Sequence, residues 1–288
     1  AENRARYLVE QDQFEACAVE VEFLCGTPQS RRRTAAVHLR NLCRVYAALH
    51  HIDYFNTAPS IKSLVEAVRG ADQYAKAWPV LDAQLALLQH LPQLHAKGAP
   101  SQGSHAETPE FLADIYHNAV RCFARHAYAD CLARVWRAIE GALYLRQRQH
   151  HGIEPTDVRS SANQAAAEKV IGFMHQGDER KVEITLGSGL RLLAQCLDDP
   201  EYRDLVRSQF PGTQTSVGKI SERIKEIRNH SVVGHNALPV SEDSARQGLE
   251  LARLMLQALV PGIDLDGHPF ASSMIKQVGK VFFDALKG

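Results

Sequence analysis

The sequence predicts an all-α fold, because apolar residues recur at spacings of three and four through most of its 288 residues. Alternating runs of β-branched and aromatic residues, the mark of half-buried strands, are scarce. A composition of 45% hydrophobic and 23% charged residues is that of an ordinary packed domain, which excludes disorder, collagen and a long coiled coil.

Taken in order, the first amphipathic stretch predicts a helix over residues 4–25 with Tyr7, Leu8, Phe14, Cys17, Val21 and Leu24 inward, ended by Gly26-Thr27-Pro28. Residues 31–53 predict a second, with Leu39, Leu42, Val45, Tyr46 and Leu49 on one face, and the two read as a helical hairpin. Helices at 60–68 and 71–94 follow, the latter broken or kinked near Pro79, since proline removes a backbone donor and clashes with the preceding turn. The run KGAPSQGSHAETP at 97–109 is the strongest linker signal. It divides the chain into an accessory helical region, 1–100, and a second domain, 106–288. Residues 110–149 read as one long or broken helix with a hinge at Tyr128-Ala129-Asp130 and with Leu132, Val135, Trp136, Ile139 and Leu143 inward. Further helices are expected at 162–175, 190–197, 201–210, 216–233, 241–260 and 272–286, with one strand-like fragment at 182–186. Trp78 and Trp136 fall at core positions of their helices.

Lys plus Arg and Asp plus Glu each number 33, so no global field draws the protein to nucleic acid or membrane, and a polyanion must be held by a local patch. The outer face of residues 110–149 supplies one, with Arg121, Arg125, Arg134, Arg137, Arg146 and Arg148 against Asp130 and Glu140. Six cysteines without a C-x-x-C pair read as reduced, mostly buried thiols. No apolar run spans a membrane and the charged first twenty residues are no signal peptide, so a cytoplasmic location is expected. The chain begins without Met inside an amphipathic helix, from which we expect a piece of a longer protein with a partner domain before it. His150-His151 near Glu154 and Asp157 lack a third ligand of convincing spacing, so no metal is expected, and no cofactor motif occurs. Without a Gly-rich phosphate loop, a G-x-S-x-G elbow or H-E-x-x-H, nucleotide hydrolase, esterase and zinc protease readings have no support.

The most informative stretch surrounds RNHSVVGHNALPVS at 228–241. Val217, Ile220, Ile224 and Ile227 form an apolar stripe, while Arg228 and His235 fall on another face, about 10 Å apart at 1.5 Å rise per residue, close enough to share a phosphate. An imidazole exchanges protons at neutral pH, and a forked guanidinium stabilises charge on non-bridging phosphate oxygens. Together they suit attack of a ribose 2′-hydroxyl on its own phosphate without a metal. Asn229 can orient either group, and His230 points about 200° away from Arg228. Spacing alone does not separate this pair from an Arg and a His that decorate a surface helix.

The same stretch resembles the R-x(4–6)-H signature of HEPN ribonucleases, with a polar residue directly after the Arg. It is similar in particular to the C-terminal effector portion of CRISPR-associated proteins of type III systems that join a CARF sensor to a HEPN nuclease. YADCLARVWRAIEGAL at 128–143, HGIEPTDV at 151–158 and DGHPF at 266–270 extend the similarity over about residues 110–288. The resemblance implies a HEPN helical bundle and a metal-independent endoribonuclease acting on single-stranded RNA as a homodimer, in antiviral defence. It implies Arg228, His235 and Asn229 as catalytic residues, and a CARF domain, absent from this chain, that answers to a cyclic oligoadenylate. Arg121, Arg125, Arg134, Arg137 and His230 are the candidate RNA contacts. The competing expectation is a non-catalytic helical module that uses the same scaffold for dimerisation or nucleotide binding.

Overall fold

The computed structural model describes residues 1–26, 30–50, 54–96, 107–174, 182–209 and 240–287. Among them are twelve α-helices and no β-strand, as the periodicity predicts. They are α1 (Glu2–Glu10), α2 (Phe14–Cys25), α3 (Ser30–His50), α4 (Tyr54–Val68), α5 (Trp78–Ala96), α6 (Pro109–Ala124), α7 (Tyr128–His151), α8 (Gln164–Met174), α9 (Leu186–Arg191), α10 (Pro200–Gln209), α11 (Glu242–Leu259) and α12 (Ser272–Asp284). The predicted helix at 216–233 and the linker at 97–106 lie outside the described residues.

Two breaks appear where the periodicity reads straight through, and both have the same cause. At the end of α1, Asp12 takes a left-handed φ of 53°, Gln13 N donates to Leu8 O and Asp12 N donates to Val9 O. At the end of α6, His126 takes φ 61°, Ala127 N donates to Cys122 O and His126 N donates to Phe123 O. This is the Schellman pattern, which satisfies the last carbonyls of a helix and usually places glycine at the left-handed position. Asp and His tolerate that conformation better than most side chains, so the turns form with no glycine to announce them. The expected helix at 4–25 is therefore two, and the hinge expected at 128–130 falls just before it, at 125–127.

Pro79 is the second residue of α5, following a 3₁₀ turn at Asp72–Ala77, so its missing N–H costs no helical bond. Residues 182–185 are extended rather than a strand: Val158 N donates to Val182 O, and Ile184 N to Pro155 O, after which the Thr185 side chain caps α9. A strand needs a longer ladder than these two bonds. α9 runs directly into a π-helical turn at Leu192–Cys196.

The chain packs as two compact units, and neither is continuous in sequence. The first comprises Ala1–Ala99, Val120–Ala127 and Leu265–Gly288. Here α2 packs on α3, α3 on α4 and α4 on α5, and α12 covers α3, α1 and the 3₁₀ turn. The predicted inward residues Leu39, Leu42, Val45, Tyr46 and Leu49 are all buried, whereas Tyr7 is 63% exposed on the outer side of α1. Trp78 and Trp136 are half-buried rather than central, Trp78 donating to Val68 O. The second unit comprises Pro100–Ala119 and Tyr128–Asp264. α11 lies along α7, α9 packs on α7 and α10 on α11, and the π turn packs on α8, α9 and α10. A satellite core of Ile153, Val158, Val170, Val182, Ile184 and Leu192 holds the α7–α8 connection. Packing thus divides the chain at more places than the single sequence boundary at 97–109.

Candidate functional site

Arg228, Asn229, His230 and His235 lie outside the described residues. What the structure describes is their flanks in the second unit, α10 on one side and α11 on the other. Ser241 caps α11 by accepting from Ser244 N at 3.1 Å, with Glu242 and Asp243 in the favourable first turn. Gly248, Ala252, Met255 and Leu256 bury its inner face.

The basic face of α6 and α7 proves to be only partly a face. Arg121, in the first unit, is 1% exposed and its Nη1 donates to Phe270 O at 2.6 Å. Phe270 ends the DGHPF segment, and Gln84 Nε2 donates to the neighbouring Pro269 O at 2.8 Å, so buried side chains hold this segment by its carbonyls. Arg125 reaches Glu15 at 3.9 Å. In the second unit Arg146 is 2% exposed, and Arg148 is held between Glu107 at 2.5 Å and Glu154 at 3.0 Å. Arg134, within 3.8 Å of Asp130, is half-buried like Arg125 and Arg148, and Arg137, paired with Glu107 and Glu140, is the exposed member of the six. Along α7 the spacing sets Arg134, Arg137 and Arg148 on one side and Arg146 about 180° from Arg137, on the inward side, while Arg121 is buried because an arginine can turn its stem along the helix and find a carbonyl inside.

At the C-terminal end of α7 a second cluster forms that the sequence does not suggest. Asp199 is fully buried and accepts from Arg146 Nε at 2.8 Å and Nη2 at 3.2 Å, from His151 Nε2 at 2.8 Å and from Tyr202 N at 3.0 Å. An ionised carboxylate only accepts, so His151 carries a proton on Nε2. Arg146 Nη1 reaches on to Glu201 at 2.6 Å. Burial by itself raises the Asp199 carboxyl, but the hydrogen bonds from His151 and Arg146 outweigh it and hold the group well below the carboxylate range. Glu154 behaves alike: against burial, Arg148 and Thr156 bring it down to about 2.

One signal could have located Asp199. Asp-Asp-Pro at 198–200 puts an N-cap aspartate before a first-turn proline, and Tyr202 N is the backbone donor that such a cap receives. The preceding Asp198 has φ 51°, so the chain leaves the π turn through a left-handed residue before α10 begins. At the other end of the cluster α7 stops at Gly152, φ 63°, where a Cβ would stand 2.9 Å from Asn163 Cβ. Only glycine fits there, which accounts for the second residue of the HGIEPTDV segment.

Residues 101–257, more than half of the chain, match the family described as the Csm6 HEPN domain. The chain belongs to this CRISPR-associated HEPN family. No curated protein matches it. The HEPN match takes in α6 through most of α11, and with them the Asp199 cluster, the HGIEPTDV turn and, in sequence, Arg228 and His235. It stops short of α12, which packs in the first unit. Among the described residues of the HEPN chain, no three His, Cys, Asp or Glu side chains stand together as a metal site. No described helix is long and apolar enough to cross a membrane.

Proposed function

We propose that the chain is an endoribonuclease of CRISPR-type antiviral defence that cleaves single-stranded RNA without a metal. The observation that carries this reading is membership of the Csm6 HEPN family, a family of RNase type, with Arg228 and His235 of the R-x(4–6)-H pattern inside the matched residues. The ribose 2′-hydroxyl attacks the adjacent phosphorus, the 5′-oxygen leaves, and the products are a 2′,3′-cyclic phosphate and a 5′-hydroxyl. His235 moves the proton, Arg228 stabilises the charge gathered on the non-bridging oxygens, and Asn229 orients one of them. Arg137, the exposed member of the arginine set, and the half-buried Arg134 guide the RNA backbone together with His230.

Residues 106–288 form the ribonuclease domain in this reading and 1–100 the accessory region. The active unit is a cytoplasmic homodimer, because one Arg and one His do not supply a base, an acid and charge stabilisation around one phosphate, and two copies do. A CARF domain outside this chain, bound to a cyclic oligoadenylate, regulates it.

The test is cleavage of labelled single-stranded RNA in excess EDTA by the parent chain, Arg228→Ala and His235→Ala. Cleavage by the parent, with each variant slowed about 10²- to 10⁴-fold at equal helicity, supports the reading. Strict dependence on added Mg²⁺ overturns the metal-free mechanism, undiminished variants overturn the site, and an inactive parent leaves the non-catalytic helical module as the better account.

A further inference from the structure

The α2–α3 hairpin of the first unit carries a pair of groups that RNA cleavage does not use. The helices run antiparallel, as three successive pairings show: Phe14 meets Tyr46 with ring centroids 5.2 Å apart, Cys17 meets Cys43, and Glu22 meets Arg40 at 3.0 Å. In the middle pair the Cys43 thiol donates to Cys17 Sγ at 3.2 Å, and Cys17 in turn donates to Ala5 O at 3.4 Å. The side chains are 1% and 0% exposed, walled by the core that surrounds Phe14 and Tyr46. Two sulfurs at 3.2 Å already touch, and a covalent bond of about 2.05 Å asks for an approach of little more than 1 Å. All six cysteines are free thiols, and the structure places these two sulfur to sulfur.

We propose that Cys17 and Cys43 are an oxidation site, at which a hydroperoxide converts the pair into an intramolecular disulfide that clamps α2 to α3. One sulfur attacks the hydroperoxide, the O–O bond breaks, and a sulfenic acid forms as water or an alcohol leaves. The second sulfur then displaces the hydroxyl as water. The pair loses two electrons and two protons, and the hydroperoxide takes up both electrons. The hydrogen bond to Cys17 and burial push the Cys43 thiol well above its ordinary value, so little thiolate forms and the reaction is slow, proceeding through local openings of the hairpin. The same shielding protects the disulfide from thiol reductants once formed.

The bond closes a loop between residues 26 apart, which restricts the unfolded chain and raises the melting temperature by roughly 5–10 °C. The experiment exposes the intact chain to hydrogen peroxide at neutral pH, alkylates free thiols after denaturation, and maps the unreduced digest by mass spectrometry. A peptide joining Cys17 to Cys43, released by dithiothreitol, and a higher melting temperature are expected. A Cys43→Ala chain should show neither. Recovery of Cys17 and Cys43 as alkylated thiols or as sulfinic acids in the parent chain, or their pairing with other cysteines, overturns the proposal whether or not the variant folds.

Discussion

Asp199 illustrates how a buried charge is made tolerable, and why removing one half of a buried pair is costly. Its carboxylate and the Arg146 guanidinium are 0% and 3% exposed, so each has given up water and is held by the other, with His151 and Glu201 as the second partners. Asp199→Ala should therefore cost about 3 kcal/mol, read from the denaturant midpoint, because it removes the acceptor of Arg146 Nε and Nη2 and leaves the buried guanidinium only Glu201; a loss below about 1 kcal/mol would show that Glu201 suffices. The pH dependence has the same origin. Asp199 and Glu154 have folded pKa values below their ordinary ones, so their stabilisation is complete above about pH 5 and is lost as pH falls through the folded values, near 2 for Glu154. Asp12 acts with the opposite sign. Its carboxylate, fully buried and accepting from Ser272 Oγ at 2.8 Å, has a raised pKa because burial outweighs that bond and the Lys276 charge, so its ionisation costs stability at neutral pH and the cost fades on acidification. Asp199→Asn should flatten the acid limb of the stability curve below pH 5, while Asp12→Asn should leave that limb in place.

The element scale is governed by how helices end. His126 holds a left-handed φ of 61° on an exposed turn, a conformation that costs about 1 kcal/mol for a residue with a Cβ. His126→Gly relieves that strain but adds the freedom of glycine in the unfolded chain and removes the imidazole's own contacts, so the midpoint should move by less than about 1 kcal/mol in either direction. A larger fall in the midpoint would mean that the imidazole makes an interaction worth more than the strain. Along α7 the half-buried Arg134 and the exposed Arg137 would act on RNA as charges at its backbone. Replacing both with Gln should weaken RNA binding and flatten the logarithmic salt slope by about 0.7 for each phosphate no longer neutralised, with kcat unchanged. An unaltered slope would assign these arginines to their intrachain carboxylates alone.

At the scale of the molecule, the returning C-terminal segment has the largest consequence. Ile275, Val278, Phe282 and Phe283 of α12 are at most 1% exposed, inside a unit otherwise built from the first hundred residues and a short piece of α6. Burying such side chains stabilises by about 1.5–3 kcal/mol each, a large share of what a domain has in total. Truncation after Asp264 should consequently leave α1 to α5 open to proteolysis at low protease concentration, although the HEPN match ends before that point. Equal resistance of the truncated and intact chains would show that the first unit folds without its last helix. The proposed homodimer is tested by sedimentation and by mixing Arg228→Ala with His235→Ala chains. A protein that is fully active as a monomer would rule out a shared site.

The sequence by itself determined the helical class, the approximate position of nearly every described helix and the inward faces of α2, α3 and α7, because apolar periodicity is set locally by 3.6 residues per turn. It also carried the RNHSVVGHNALPVS stretch on which the proposed chemistry rests. Only the structure decided where the helices stop at Asp12 and His126, since aspartate and histidine tolerate a left-handed φ better than most residues yet adopt it too seldom to mark a stop. Only packing could turn Arg121 inward and give Arg146, which spacing already sets opposite Arg137 on α7, its buried partner. Each depends on whether a carbonyl of Phe270 or a carboxylate of Asp199 waits 149 or 53 residues away in the chain. The return of α12 to the first unit has the same origin: an amphipathic helix announces that it needs a partner, and its own residues do not say which.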